Sequence, residues 1–145
     1  QQTDHVVVEH FVSGPGLENI YRFLANSAGI EPSLSAEMIA TSALREEGIC
    51  RDAVNLMIGI LGAVMRDHVL TMGCWRGAVI TGGIMPRLQS LINSSPLKQR
   101  FRSAGDMSHI LGNVPVWLST DPLAGLKGAQ VAFDNPYLAH RMVTG

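Results

Sequence analysis

The sequence predicts an α/β fold with at least partly parallel strand pairing. Three observations lead there. Short β-branched or apolar runs recur at Val6–Val12, Gly77–Thr81 and Val114–Leu118, the composition of strands. Each is followed by glycine or proline and then by residues at helical spacing, the alternation of βα units. Between the first two runs lies an uncharged stretch, Ala53–Met65, apolar on nearly every side, as a helix buried between other elements would be.

The elements follow in order. After the Val6–Val12 strand, Ser13 is the natural cap for a helix opened by Pro15. Leu17, Ile20, Tyr21, Leu24 and Ala28 carry that helix, and Gly29 stops it. Ser35 caps a second helix to about Glu47, whose face of Met38, Ile39, Ser42 and Ala43 is modest enough to read as peripheral. Gly48 breaks it, and a long helix then runs from about Arg51 to Met72. Its uncharged part is about 13 residues, short of the roughly 20 that cross a bilayer, so the expectation is a buried core helix and no membrane partner. The strand Gly77–Thr81 leads through Gly82-Gly83 to a helix from Pro86 to about Asn93. Pro96 starts a short one, Leu97 to Arg102. After the Val114–Leu118 strand, Asp121 and Pro122 cap a last helix through about Asp134.

With 145 residues, the chain can bury one sizeable core. Hydrophobic residues make up 46% and charged residues only 16%, against about 25% charged in an ordinary soluble domain. Part of the surface is therefore expected to be covered by something else. The net charge of −1 lacks the basic footprint of a nucleic-acid binder. The run Lys98, Arg100, Arg102 reads as a solvated face or as a polyanion site. Cys50 and Cys74 are too few for a disulfide framework and have no metal spacing around them. The absence of a disulfide framework suits a cytoplasmic protein. No signal peptide is visible, and no His-x-x-x-His pair occurs. His10 follows Glu9, but on a strand the two side chains would point apart.

The chemistry concentrates in two segments. Glu9-His10-Phe11-Val12-Ser13-Gly14-Pro15-Gly16-Leu17 carries a carboxylate to the end of the first predicted strand, at the lip of a sheet where α/β proteins bind small ligands. Gly14 and Gly16 are expected to supply backbone freedom in the turn. Spacing alone leaves two readings for Glu9, a ligand-binding acid or an acid facing water. The second segment, Gly77-Ala78-Val79-Ile80-Thr81-Gly82-Gly83-Ile84-Met85-Pro86-Arg87, has the same strand, turn and helix order.

Together these segments resemble the C-terminal part of bacterial-type ATP-dependent glucokinases, of the hexokinase/actin-like superfamily. The resemblance rests on Glu-x-x-x-Ser-Gly-Pro-Gly-Leu, a long apolar helix, and Gly-Gly-Ile-x-Pro-Arg. It continues through Asn113-Val114-Pro115-Val116-Trp117-Leu118 and the segment Asp121 to Ala129, so it covers about Val6 to Phe133. It implies a partial ribonuclease-H-like, actin-type domain, residues 1–145 forming the C-terminal portion of the large domain. It also implies a cytoplasmic enzyme that phosphorylates glucose with ATP and Mg²⁺ and works as a homodimer.

By the same resemblance Glu9 accepts hydrogen bonds from glucose hydroxyls, and Gly82 and Gly83 form the adenosine-binding turn. Gly125 to Gly128 is similar to the start of the last helix, which packs close by. No catalytic residue and no metal ligand is assigned. The Asp-x-Gly-Gly-Thr-like loop, the Asn-Asp pair and the Glu-x-x-His motif of the family do not occur in the chain, and the lone Asp134-Asn135 has the reverse order. The expectation is a piece of a longer enzyme. Two alternatives stay open: a non-catalytic nucleotide- or sugar-binding relative, and a kinase for another hexose. The zinc motif of the wider group of sugar kinases and repressors is absent, which favours glucose.

Overall fold

The computed structural model describes residues 5–133 and 135–136; Gln1, Asp134 and His140 lie outside them. Helices dominate. In chain order they are α1 (Gly14–Ser27), α2 (Ala36–Arg45), α3 (Ile49–Met72), α4 (Gln89–Ile92), α5 (Leu97–Arg102), α6 (Ser108–Leu111) and α7 (Ala124–Phe133). Two strands, β1 (Ala78–Ile80) and β2 (Val116–Leu118), pair in parallel with Ala78 opposite Val116 and Ile80 opposite Leu118. The predicted α/β class with parallel pairing therefore holds, although the sheet is small. The 3₁₀ turn Gly105–Met107 and α6 carry too few apolar repeats to have been read from the sequence.

The Val6–Val12 segment is not a strand. It holds a 3₁₀ turn over Val8–His10 and closes on itself through His10 N–H to Val7 C=O (3.0 Å) and Phe11 N–H to Val8 C=O (3.0 Å). The β preference of valine reflects packing against neighbouring strands. Here no neighbouring strand is present among the described residues, and Val6, Val7 and Val8 are all exposed. The backbone finds its hydrogen bonds locally instead. Glu9 accordingly sits on a turn before α1, and the argument that Glu9 and His10 alternate across a strand falls with it.

α3 is the centre of the fold. It starts two residues earlier than expected and ends at Gly73, which takes the left-handed conformation (φ 66°) that closes helices. At 24 residues it is long and apolar enough to cross a membrane by length and composition. Its inner face is instead taken up by α1, α2 and α5. Val54 and Ile58 are fully buried with Leu17 of α1, Ile39 and Ala43 of α2, and Leu88. α2 is thus part of the core rather than peripheral. A bond that spacing cannot show pins its first turn, where the Glu18 carboxylate of α1 accepts from Ala36 N–H at 2.8 Å. A smaller cluster of Val69, Phe101, Leu111 and Val114 closes the far end of α3.

α5 meets α3 through glycine. A Cβ at Gly62 would lie 2.6 Å from the Leu97 carbonyl oxygen, and one at Gly59 would lie 3.2 Å from Pro96 Cγ. The two backbones approach closer than any larger residue permits. At the C-terminal end, the Asp121 carboxylate accepts from Leu123 N–H (2.9 Å) and pairs with Lys127 Nζ (2.7 Å). Lys127 and, after it, the Leu123 amide hold the Asp121 carboxyl below its ordinary pKa. Asp121 therefore orders the turn before α7 and reaches its first turn through Lys127, while the amide it takes, Leu123 N–H, precedes the first helical residue.

Gly62→Ala is expected to lower stability by about 1–3 kcal/mol, the usual cost of overpacking, despite alanine's better helix propensity. Gly128→Ala in α7, where an added Cβ meets nothing within 4 Å, should be neutral or gain up to about 1 kcal/mol. Urea midpoints of the two variants measured side by side check this. Equal behaviour would mean that α5 can shift freely on α3.

Candidate functional site

Two turns face one cleft. The first is built by Ser13. Its extended backbone (φ −161°, ψ 177°) lets the hydroxyl accept from Gly16 N–H at 3.0 Å and donate to the Glu9 carbonyl at 2.6 Å. One side chain therefore caps α1 and ties the main chain of Glu9 to that cap. The glycines act differently from the expectation, since neither Gly14 nor Gly16 has a positive φ. Gly16 is required for space, because a Cβ there would fall 2.5 Å from the Phe11 carbonyl carbon. At Gly14 the nearest neighbour is Ile84 Cδ1, 3.6 Å from where a Cβ would sit, so the first turn abuts the second.

The second turn follows β1. Gly82 has φ 124°, which side chains rarely tolerate, whereas Gly83 does not. Around both, the space within 4 Å of an added Cβ is empty. The chain then enters a 3₁₀ turn over Met85–Leu88. Arg87 Nη1 reaches Glu37 Oε1 of α2 at 2.8 Å, both largely exposed, which links the second turn to the helix beside the first.

Between them lies a cleft of about 460 Å³ lined by Val12, Ser13 and Gly14 on one side and by Val79 to Met85 on the other. α3 supplies Met57, Leu61 and Met65, three residues at successive helical turns. Their spacing was legible as core, but not their exposure to a cavity. No ionisable side chain lines the cleft. It offers hydroxyls (Ser13, Thr81), backbone from two turns and an apolar wall, which suits shape recognition of a flat or apolar group. Gly82 and Gly83 both lie on it. Glu9 does not; it is exposed, three residues before the lining begins. His10 is half-buried, and its Nδ1 lies 3.4 Å from Val7 N. Among the described residues no three His, Cys, Asp or Glu side chains converge on a metal-binding arrangement.

The family model described as Glucokinase matches residues 1–136. A glucokinase of Xylella fastidiosa is 37% identical over 132 residues, covering 90% of this chain and 39% of the relative. One of Helicobacter pylori is 34% identical over 145 residues, covering 94% and 43%. A crystal structure of glucokinase from an Antarctic psychrotroph superposes with TM-score 0.74 at 35% identity, over 86% of this chain and 40% of that one. A glucokinase from Balamuthia mandrillaris in complex with glucose shares the fold at TM-score 0.70 and 22% identity, over 82% and 34%. An α/β chain that gathers two glycine turns over one apolar cleft thus has its counterparts among sugar kinases. The chain belongs to the glucokinase family, and it spans about two fifths of the length of the curated relatives it matches.

Ser13→Ala removes the cap and the tie to Glu9 together. The expected loss is about 1 kcal/mol of stability, with faster amide exchange at Gly16 than in the body of α1. Ser13→Asp keeps the capping acceptor but lacks the hydroxyl donor to Glu9, so it should restore most of the stability. Hydrogen exchange on both variants measures this, and unchanged exchange at Gly16 would show that the cap is idle.

Proposed function

We propose that the full-length protein containing this chain transfers the γ-phosphoryl group of ATP to the 6-hydroxyl of glucose. On this reading Glu9 is a sugar-binding acid and Gly82-Gly83 is the turn against which adenosine lies. The observation that supports it is the meeting of the Ser13-Gly14 and Gly82-Gly83 turns on one cleft, in a chain of the glucokinase family. In the transfer a bond forms between the sugar oxygen and the γ-phosphorus, and the bond from that phosphorus to the leaving ADP oxygen breaks. The hydroxyl proton goes to a base. Such a reaction depends on positioning and charge stabilisation more than on covalent chemistry.

The chain's own contribution is recognition. An ionised Glu9 can accept from two sugar hydroxyls at once. The open space at Gly82 and Gly83 admits a nucleotide against bare backbone. Met57, Leu61 and Met65 give the cleft a dry wall. A base is not offered by the lining, which has no ionisable group. Magnesium takes oxygen ligands, commonly one or two carboxylates. The cleft has none, so these residues do not fit a magnesium site, and its ligands belong with the part of the enzyme this chain does not span. The same reading makes the chain the C-terminal portion of the large, ribonuclease-H-like domain of a cytoplasmic homodimer. Closure of the smaller domain over the sugar would exclude competing water.

In the full-length enzyme, Glu9→Gln should lower kcat/KM for glucose by about one to two decades. That follows from the roughly 1.5–3 kcal/mol of a charge-assisted hydrogen bond. The KM for ATP should change little. Steady-state kinetics against each substrate separates the two, and an unchanged KM for glucose would remove Glu9 from the site.

Gly83→Val should weaken ADP binding and spare the fold. Its Cβ meets nothing within 4 Å and its φ is not positive, so any effect must come through the ligand. Calorimetric titration of ADP, with thermal unfolding as the control, checks this. Full affinity in the folded variant would make the turn purely structural.

A further inference from the structure

A second cavity, of about 410 Å³, lies between β2 and α5, outside the cleft but sharing Ile80 as a common wall. All seven residues from Gly112 to Leu118 line it. Side chains on a strand alternate between faces, so a cavity on one face would be lined by every second residue. Of the seven, Gly112 to Pro115 precede the strand and Val116 to Leu118 are the whole of β2, so the cavity takes in the middle residue Trp117 as well as the face that carries Val116 and Leu118 and reaches Ile80 of β1. The hydrogen bonds show which edge of β2 is open. Ala78 N–H donates to Pro115 C=O (3.0 Å) and Ser119 N–H to Ile80 C=O (2.8 Å). With the observed register, a parallel ladder then turns the N–H and C=O of Trp117 toward β1 and those of Val116 and Leu118 outward. Among the described residues nothing takes a hydrogen bond from these outward groups.

The opposite wall is α5, and the charged residues on the lining are Lys98 and Arg102, with no acid. Arg102 Nη2 donates to the Gly112 carbonyl at 3.0 Å, which holds this cation beside the start of the strand. The two cations are four residues apart on a helix, or about 6 Å along its axis. Alternate residues of an extended chain are about 6.6 Å apart. A strand laid along β2 could therefore place every second side chain against Lys98 and Arg102 in turn.

We propose that this groove docks an extended acidic peptide of a partner protein, which adds as a strand to the edge of β2 and lays alternate carboxylates on Lys98 and Arg102. Free edge amides provide the pairing and the cations select the sequence, the division of labour of strand addition.

The test is fluorescence anisotropy on the full-length protein with a labelled octapeptide of alternating glutamate and β-branched residues. Binding at about 100 μM or tighter is expected. Either N-methylation of the peptide at alternate backbone nitrogens or Lys98→Glu in the protein should weaken it by about tenfold or more. Lys98 is exposed, so the variant keeps its fold, and N-methylation tests the backbone bonds without touching the protein. Three results would overturn the proposal. The first is no binding at about 1 mM. The second is equal binding of the N-methylated peptide, which would reduce the interaction to charge alone. The third is complete competition by equimolar inorganic phosphate, which would make the groove a small-anion pocket.

Discussion

The close crossing of α5 over α3 at Gly59 and Gly62 sets the distances on which both cavities depend. Backbone packs on backbone at that point, with the Leu97 carbonyl where a Cβ of residue 62 would be. α5 is a helix of under two turns, too short to hold its own position by hydrogen bonding. Its place is fixed by Leu97 and Phe101, both buried against the α3 side. α3 in turn reaches the other cavity, since Met57, Leu61 and Met65 line the cleft between the two glycine turns. A displacement of α5 would thus move one wall of the β2 groove directly. It would disturb the cleft only through α3 or Ile80, the wall that the cavities share.

What the sequence made legible was local. Periodicity identifies α3 because its apolar residues recur over 24 positions, and caps mark α1 and α2 because Ser13 and Ser35 bond within three residues of themselves. The parallel pairing of β1 and β2 was legible from the helices that separate them. The failures are all non-local. Valines at 6–8 would make a strand only beside another strand, and among the described residues β1 and β2 pair only with each other. Met38, Ile39, Ser42 and Ala43 looked like a modest face, whereas α2 buries Ile39, Ala40 and Ala43, whose two alanines let the helix seat closely. The anchor from Glu18 to Ala36 joins residues 18 apart, beyond any helical period.

The candidate site divides the same way. Gly82-Gly83 was legible as a turn, and the positive φ at Gly82 gives the reason for one of the two glycines. Gly83 has no such need from within the chain, with free conformation and empty surroundings. For Gly16 the opposite holds, because the Phe11 backbone accounts for it fully. The structure therefore separates the turn glycines that the fold requires, Gly16 for space and Gly82 for conformation, from Gly14 and Gly83, which it does not, a distinction that motif spacing cannot make.

Charge follows a complementary pattern. The cleft has no ionisable lining, and charged residues are only 16% of the chain. Val79 and Trp117, on a sheet of two three-residue strands, stand 62% and 52% exposed. Parallel sheets are ordinarily covered on both faces, and two short strands have little stability alone. A chain spanning about two fifths of its relatives' length can hold the turns and the dry wall of a cleft without lining that cleft with charge. Phosphoryl transfer needs both, since positioning lowers the barrier only when the developing charge is also stabilised. The cleft combines backbone and apolar surface with no base among its lining residues, so in the proposed reaction the base would come from outside that lining. A two-domain kinase that opens for substrate and closes for transfer can accommodate that arrangement. The groups that must not meet water are then assembled only when both walls come together.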